Sequence, residues 1–199
     1  AFLERYDLGK KPIVALLPGS RTQEIKKMLP IQLSLVDKYS DFDFIIAGVN
    51  SHSEEYYRSF IGERKNVKLI YDNTYSILNN AHCAVVTSGT ATLETALFNV
   101  PEVVCYKANA LSFLAAKYLV KIQYISLVNI ILKDGAVVEL LQDKWNEDCL
   151  EKEFKKICFD ETYREQMKYL FNKLKNILGD SGASPSIAQS IIEDLNKKK

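Results

Sequence analysis

The sequence has few of the features that mark membrane-spanning, nucleic-acid-binding or disulfide-stabilised proteins. No apolar run reaches the roughly 18 residues of a transmembrane helix. Its 26 lysines and arginines are balanced by 25 aspartates and glutamates, so a net charge of +1 offers no general attraction for nucleic acid. The four cysteines include no C-x-x-C pair and no histidine at metal-ligand spacing, which argues against a disulfide framework or a zinc site and favours a reducing compartment. Any anion site must therefore be local.

Several catalytic signatures are also absent. Neither G-x-G-x-x-G nor G-x-x-x-x-G-K-[ST] occurs, which disfavours a dinucleotide-dependent dehydrogenase or a P-loop ATPase. The two histidines, His52 and His82, form no Ser-His-Asp spacing that would support nucleophilic hydrolysis. No pair of carboxylates suggests a bound metal, so we predict none.

The chain has the size and composition of one globular domain. It contains 199 residues, of which 47% are hydrophobic and 26% are charged, and no repeat or low-complexity tract divides it. We therefore predict a single domain over residues 1–199. The charged, helical stretch Phe2–Tyr6 does not resemble a signal peptide, and the start at Ala1 is expected to be a cut end.

Short apolar runs alternate with helical patterns along most of the chain. Runs this apolar are typical of strands buried on both faces, and helices supply the crossovers that parallel neighbours need. The sequence thus predicts a doubly wound, Rossmann-like parallel α/β sheet. The predicted strands are Pro12–Leu17, Phe42–Val49, Val67–Tyr71, Cys83–Thr87 and Val103–Tyr106. The predicted helices are Gln23–Tyr39 (broken or kinked at Pro30), Ser53–Arg64, Tyr75–Asn80, Thr90–Phe98 and Leu111–Lys121.

After a loop around Ser126–Gly135, the apolar spacing becomes helical to the end of the chain. This predicts a C-terminal helical cap on the sheet, in which Ser184 and Pro185 are a good helix start. Gly179–Gly182 is a loop between helices, with a hinge as the alternative. The predicted helical segments are Val137–Leu141, Glu147–Phe159, Thr162–Leu178 and Ser184–Leu195.

Two strand-to-helix turns carry residues suited to binding phosphate. In open parallel sheets, ligands bind at the carboxyl ends of the strands, where helix amino termini point their dipoles. One turn offers Gly19, Ser20 and Arg21, although an arginine there can also simply lie on the surface. The other is Thr87–Glu94, whose small and hydroxylated residues predict a phosphate cradle, with ordinary helix capping as the alternative.

Other candidates are weaker. Asn129 lies in a loop after a predicted helix, a position that by itself does not indicate a function. His52 lies in a loop after the second strand, where it could contact a ligand. His82 adjoins a predicted strand and is expected to have a structural role. The apolar stretch Tyr118–Leu132 fits either a buried core segment or a membrane-facing one.

Taken together and in order, four segments resemble lipid-A-disaccharide synthase, a bacterial glycosyltransferase of the GT-B architecture. They are LLPGSRTQEI, TSGTATLETALFNVPEVVCYK, LAAKYLVKIQYISLVNIIL and VVELLQ, dispersed over Pro12–Gln142. Two positions depart from the family pattern, since Val128 and Val138 replace the prolines of its SLPN and PELLQ motifs.

The resemblance implies an inverting hexosyl transfer. The donor would be UDP-2,3-diacylglucosamine and the acceptor 2,3-diacylglucosamine 1-phosphate, giving a β-1,6-linked disaccharide and UDP without a cofactor. Carried over to this sequence, Gly19, Ser20 and Arg21 would lie by the diphosphate, with Arg21 neutralising the leaving group. Ser88, Gly89 and Thr90 would hold phosphate, Glu94 would bind ribose hydroxyls, and Asn129 would contact the donor.

The resemblance also implies that this chain is the carboxyl-terminal half of a longer enzyme. The missing amino-terminal half would bind the acceptor and supply the general base, so the chain alone would bind UDP without turnover. The family's location implies a cytoplasmic protein, peripheral at the inner face of the bacterial inner membrane, with possible homodimerisation through the terminal helices. Two alternatives stay open: an enzyme similar to UDP-N-acetylglucosamine 2-epimerase, and a non-catalytic nucleotide-binding module.

Overall fold

A six-stranded parallel sheet forms the centre of the protein. The structure is a computed structural model that describes residues 2–108 and 123–179. Within these residues the strand order is β3-β2-β1-β4-β5-β6, and every neighbouring pair is parallel. This confirms the predicted doubly wound α/β class. The strands are β1 (Ile13–Leu17), β2 (Asp43–Gly48), β3 (Val67–Tyr71), β4 (Ala81–Thr87), β5 (Glu102–Tyr106) and β6 (Val138–Leu141).

Helices cover both faces of this sheet. All five residues of β1 are buried, with Val14 and Leu16 packed into one hydrophobic cluster and Ile13, Ala15 and Leu17 into another. Because successive side chains of a strand point to opposite faces, this division requires helices on both sides. The described helices are α1 (Phe2–Arg5), α2 (Thr22–Lys38), α3 (Glu54–Ile61), α4 (Thr74–Asn80), α5 (Thr90–Leu97), α6 (Leu127–Leu132), α7 (Glu147–Phe159) and α8 (Glu161–Leu178).

The prediction of a helix over Val137–Leu141 is wrong, because Val138–Leu141 is strand β6. It pairs with β5 in the register Val103↔Val138 to Tyr106↔Leu141. Five residues are too few to separate a helical from an extended apolar period. The free edge of β5 decided the outcome, since pairing there satisfies the backbone of both strands.

Two further boundaries differ from the prediction. Helix α2 continues through Pro30 rather than breaking. Pro30 is exposed, so the backbone carbonyl that its missing N–H would have bonded can be hydrated. The segment predicted as a loop around Ser126–Gly135 contains the short helix α6, whose first turn is capped by the Ser126 hydroxyl accepting from the Asn129 N–H.

The helical cap is confirmed where the structure describes it. Helix α7 spans the predicted Glu147–Phe159 and α8 begins one residue before its predicted start. Trp145, which precedes α7, is 1% exposed and donates its indole N–H to the Lys27 carbonyl of α2 at 3.1 Å. The predicted helices Leu111–Lys121 and Ser184–Leu195 lie outside the described residues, as does most of the Gly179–Gly182 loop.

Glu102, the first residue of β5, is a buried carboxyl group on the edge of the sheet opposite the strand carboxyl ends. Its side chain is fully buried, and neither carboxyl oxygen has a hydrogen-bond partner among the described residues. Its backbone N–H donates to the Met167 sulfur at 3.3 Å. Burial raises the pKa of Glu102 well above its usual range, because desolvation penalises the charged form.

We expect Glu102→Met to raise the free energy of unfolding at pH 7 by about 1–3 kcal/mol, since it removes a buried polar group that lacks partners. Because the pKa is raised in the folded state, the folded chain keeps a proton that the unfolded chain releases above about pH 4.5. Stability should therefore fall as pH rises from that point, and less so in the variant. Urea unfolding between pH 4 and 8 measures this, with exposed Glu63→Met as control; equal pH dependence in parent and variant would contradict the expectation.

Candidate functional site

The turn between β1 and α2 is built around Gly19 and Glu24. Gly19 has a φ of +96°, a conformation that side-chain-bearing residues rarely adopt. The Glu24 carboxylate accepts from the Ser20 and Arg21 backbone N–H groups at 3.1 and 3.2 Å, and from the Arg21 guanidinium at 3.2 Å. Glu24 thus caps α2 and holds one side of the Arg21 head, whose side chain is otherwise 82% exposed.

Sequence reasoning missed the role of Glu24. A carboxylate three residues after the residue that precedes a helix is the signal of a capping box. Here that preceding position is occupied by Arg21 rather than by serine or threonine, so the usual pattern does not appear.

The loop between β4 and α5 presents a helix amino terminus at the same sheet edge. Ser88 donates its backbone N–H to the Cys105 carbonyl at 2.9 Å and its hydroxyl to the Ile125 carbonyl at 3.1 Å. Ser88 therefore fixes the loop, while Gly89, Thr90 and Ala91 line the cavity at the amino terminus of α5, where the first N–H groups of a helix have no acceptor within it. A Cβ built on Gly89 would meet no atom within 4 Å.

A cavity of about 380 Å³ joins these two turns. It lies at the carboxyl ends of β1 and β4, where the chain connections run to opposite sides of the sheet. This is the switch point at which open α/β sheets bind ligands. Seven of the eight predicted site residues line it: Gly19, Ser20, Arg21, Ser88, Gly89, Thr90 and Glu94.

Glu94 lies between this cavity and a neighbouring hollow of about 430 Å³ that it also lines. The loop after β3 and the first turn of α4, together residues 72–76, form the rest of that hollow. Its Asp72 has a φ of +52° and accepts a hydrogen bond from the Asn50 amide. This segment was not predicted from the sequence to be part of a site, although it too follows a strand at the carboxyl edge of the sheet.

The structure does not bring Asn129 into the cavity. Asn129 is 1% exposed; its amide N–H₂ donates to the Val137 carbonyl and to Glu139 at 2.9 Å each, and its amide oxygen accepts from the Val137 N–H at 3.0 Å. A contact of Asn129 with a donor stays a prediction. The placement gives its amide a role in holding the loop between α6 and β6.

Glu139 of β6 ties this loop to the cavity. Its carboxylate accepts from the Ile125 N–H at 2.9 Å, the Ser126 N–H at 3.0 Å, the Ser126 hydroxyl at 2.8 Å and the Asn129 amide. The Ile125 carbonyl also accepts a hydrogen bond from the Ser88 hydroxyl. The Glu139 carboxylate therefore connects β6, through Ile125, to the loop before α5. Sequence reasoning missed Glu139, which sits inside an apolar run.

Neither histidine lines the cavity. His52 bonds through its ring nitrogens to the Thr22 hydroxyl at 2.9 Å and the Ser51 hydroxyl at 3.0 Å. His82 lies near the start of β4, at the opposite edge of the sheet, bonded to the Cys158 carbonyl at 3.0 Å, and burial lowers its pKa. These contacts agree with the structural role expected of His82.

The chemistry available at the cavity is anion binding rather than nucleophilic attack. The nearby Cys105 thiol lies behind the Ser88 loop, and burial raises its pKa to about 12, so it stays protonated. Residues 2–108 and 123–179 contain no cluster of three or more histidine, cysteine, aspartate or glutamate side chains that could hold a metal. Among the described helices none is long and apolar enough to cross a membrane.

A larger hollow of about 690 Å³ lies elsewhere, along one face of α8. Its lining comes entirely from residues 161–170 of that helix, including Tyr169 and Leu170, and no strand end contributes to it. The smaller cavity at the switch point is therefore the better site, because it combines a helix amino terminus, a cation and backbone donors.

Solved structures with this fold include nucleotide-sugar enzymes. A Staphylococcus aureus MnaA–UDP co-structure matches with a TM-score of 0.67 and 16% identity, covering 98% of this chain and 48% of that one. The UDP-GlcNAc 2-epimerase of Neisseria meningitidis bound to UDP-GlcNAc matches with a TM-score of 0.64 and 18% identity, covering 96% of this chain and 48% of that one. At such identities, these matches establish the fold alone.

Sequence relatives are much closer. A lipid-A-disaccharide synthase of Geobacter sulfurreducens is 30% identical over 96% of this chain and 51% of its own length. One of Persephonella marina is 34% identical over 97% of this chain and 54% of its own length. The chain thus spans about half the length of the curated relatives it matches. The model of the lipid-A-disaccharide synthetase family matches residues 5–186, and with relatives of this identity along almost the whole chain, the protein belongs to that family.

Proposed function

We propose that this chain is the nucleotide-sugar-binding half of a lipid-A-disaccharide synthase. The reaction is the inverting transfer of 2,3-diacylglucosamine from its UDP derivative to 2,3-diacylglucosamine 1-phosphate, which releases UDP. The observation that carries the proposal is the cavity at the switch point, where the Gly19–Arg21 turn and the Ser88–Thr90 loop converge. Both turns offer groups that bind phosphate, and a departing UDP requires such groups.

Several cavity residues have specific roles in this proposal. The first turn of α5 and the Gly89 backbone bind the diphosphate, and Ser88 holds their loop in place through the Ile125 carbonyl. Arg21 neutralises the charge that grows on the leaving diphosphate, with Glu24 steadying its guanidinium. Glu94, between the cavity and the hollow formed by residues 72–76, accepts hydrogen bonds from the ribose hydroxyls.

We further propose that the acceptor domain and the general base belong to the part of the enzyme outside this chain. The coverage of about half of each relative supports this division. Among the described residues, Glu24 and Glu94 are the carboxylates that line the cavity, and no histidine lines it. Glu24 is already engaged in the α2 cap. Since both substrates carry acyl chains, we propose that the whole enzyme works as a cytoplasmic protein, peripheral at the inner face of the inner membrane, and that it forms a homodimer.

The test is a calorimetric titration of the chain with UDP, UMP and ADP. We expect selective UDP binding, weakened about 10-fold or more by Arg21→Ala and by Glu94→Ala, because each removes a charge-assisted hydrogen bond. Gly89→Ala is the most informative variant, because it separates ligand binding from stability. Its added methyl meets no protein atom within 4 Å, so the melting temperature should not change, whereas a ligand in close contact with the loop would be displaced.

Gly9→Ala is the matched control, since Gly9 also has open space around its Cβ position but lies outside the cavity. Full UDP affinity in Gly89→Ala would contradict a phosphate at this loop. The same samples, incubated with both sugar substrates, are expected to form no disaccharide, and measurable synthesis by the chain alone would overturn the proposed division of labour.

The epimerase alternative is tested in the same samples. Epimerisation at C2 of UDP-N-acetylglucosamine requires acid–base groups that reach the sugar, and neither His52 nor His82 lines the cavity. Formation of the C2 epimer, followed by proton NMR, would favour that function over sugar transfer.

A further inference from the structure

A second, smaller cavity adjoins the switch-point cavity and carries an excess of positive charge. It has a volume of about 160 Å³ and lies between the start of α2 and the end of β5. Its lining includes Arg21, Lys27 and Lys107 as cations and Glu24 as the one carboxylate. Arg21 and Glu24 are the residues that line both cavities.

Lys27 is held at this place by contacts with the fold. The Lys27 ammonium donates to the Lys107 backbone carbonyl at 3.4 Å, which joins α2 to the chain just after β5. The turn of α2 that carries Lys27 is fixed in turn, because the Lys27 carbonyl accepts the indole N–H of buried Trp145 at 3.1 Å.

The negative charge of Glu24 offsets only one of these three cations, Arg21, with which it forms an ion pair. Its carboxylate is already engaged by the Arg21 guanidinium and by the N–H groups of Ser20 and Arg21. The cavity therefore keeps a net positive charge, which suits a compact dianion. A phosphomonoester has that charge and offers three acceptor oxygens to ammonium donors.

We propose that this cavity binds the phosphomonoester of the sugar acceptor, whose sugar and acyl chains bind in the acceptor domain outside this chain. The inference rests on the proposed function, in which three phosphate groups meet during the reaction. The diphosphate of the donor occupies the cavity at Gly89 and Thr90, and the acceptor phosphate occupies the Lys27–Lys107 cavity on the other side of the Arg21–Glu24 pair. Arg21 then lies between the two anions and reduces their mutual repulsion.

The test uses the whole chain saturated with UDP and titrated with glucosamine 1-phosphate, the water-soluble head of the proposed acceptor. We expect saturable binding that Lys27→Gln and Lys107→Gln each weaken about 10-fold, as expected for loss of one charge-assisted hydrogen bond. Lys26→Gln is the matched control, because Lys26 neighbours Lys27 on α2 but is exposed and outside the cavity lining. Glucosamine, without the phosphate, should not bind.

The UDP and UMP affinities of the same variants identify the source of the phosphate. Both should stay within about threefold of the parent in 0.15 M salt, where charges farther apart than roughly 8 Å are largely screened. A loss of UDP but not UMP affinity in Lys107→Gln would assign the cavity to the donor's second phosphate and overturn the proposal. Absent or variant-independent binding of glucosamine 1-phosphate, with UDP still bound, would refute this inference alone, whereas failure of UDP to bind would refute the proposed function.

Discussion

Replacing Gly19 with alanine is expected to lower the free energy of unfolding by about 2–4 kcal/mol, through backbone strain and a steric clash. The residue has a φ of +96°, and a Cβ there would lie 2.5 Å from the Glu24 Oε2 atom and 2.8 Å from the Glu24 Cβ. The carboxylate can rotate away, but the Glu24 Cβ is fixed by the helix backbone. The first turn of α2 must therefore move.

That movement also reaches the proposed ligand site. Displacing Glu24 removes the acceptor of the Ser20 and Arg21 N–H groups and releases the Arg21 guanidinium. We expect the UDP affinity of Gly19→Ala to fall about 10-fold or more, an effect equal to one lost charge-assisted contact. Urea unfolding and UDP titration measure the two effects.

Two other glycines separate the causes. Gly9→Ala should change neither stability nor affinity, and Gly89→Ala should change affinity alone, because a Cβ at either position meets open space. A Gly19→Ala protein with parental stability would show that the turn tolerates a side chain, and the capping arrangement of Glu24 would then be wrong.

Replacing Asn129 with alanine is expected to lower the free energy of unfolding by about 2–4 kcal/mol, since buried groups lose their partners. The Val137 N–H and carbonyl and the Glu139 carboxylate all bond to the Asn129 amide. Asn129 itself is 1% exposed, so water cannot readily replace it. Asn172→Ala, at an exposed position of α8, is the control and should be close to neutral.

The same variant tests the predicted donor contact of Asn129. Titration with UDP-N-acetylglucosamine, well below the melting temperature of the variant, separates binding from stability. A parental affinity would contradict the donor contact and leave Asn129 with the role of holding the loop before β6. A parental stability would contradict the buried hydrogen bonds.

Local patterns were sufficient for most of the architecture. Strands such as Ile13–Leu17 are buried on both faces, so each is apolar throughout, and the chain between them is long enough for a helix. That the two turns line one cavity could also be predicted, because glycine and hydroxyl residues placed directly after a strand lie at the carboxyl edge of the sheet.

The errors come from segments whose structure depends on distant partners. Val138–Leu141 becomes a strand because the edge of β5 is available for pairing, and no property of its own five-residue neighbourhood reveals that edge. Glu139 lies within this strand, yet it organises Ile125, Ser126 and Asn129. A carboxylate in an apolar run gives no sign of which N–H groups it will meet.

The sequence by itself determined the alternation of strands and helices, the family and the two turns that meet at the switch point. The strands, helices and turns follow from local effects, because apolar periodicity, glycine position and helix capping each act within a few residues. The family follows from the order of the four motifs along the chain. Only the tertiary structure decided that Asn129 turns inward and that Lys27 and Lys107 line one cavity although they are 80 residues apart. Hydrogen bonds and charges act over a few ångströms in space, and the distance along the chain says nothing about which of them will meet.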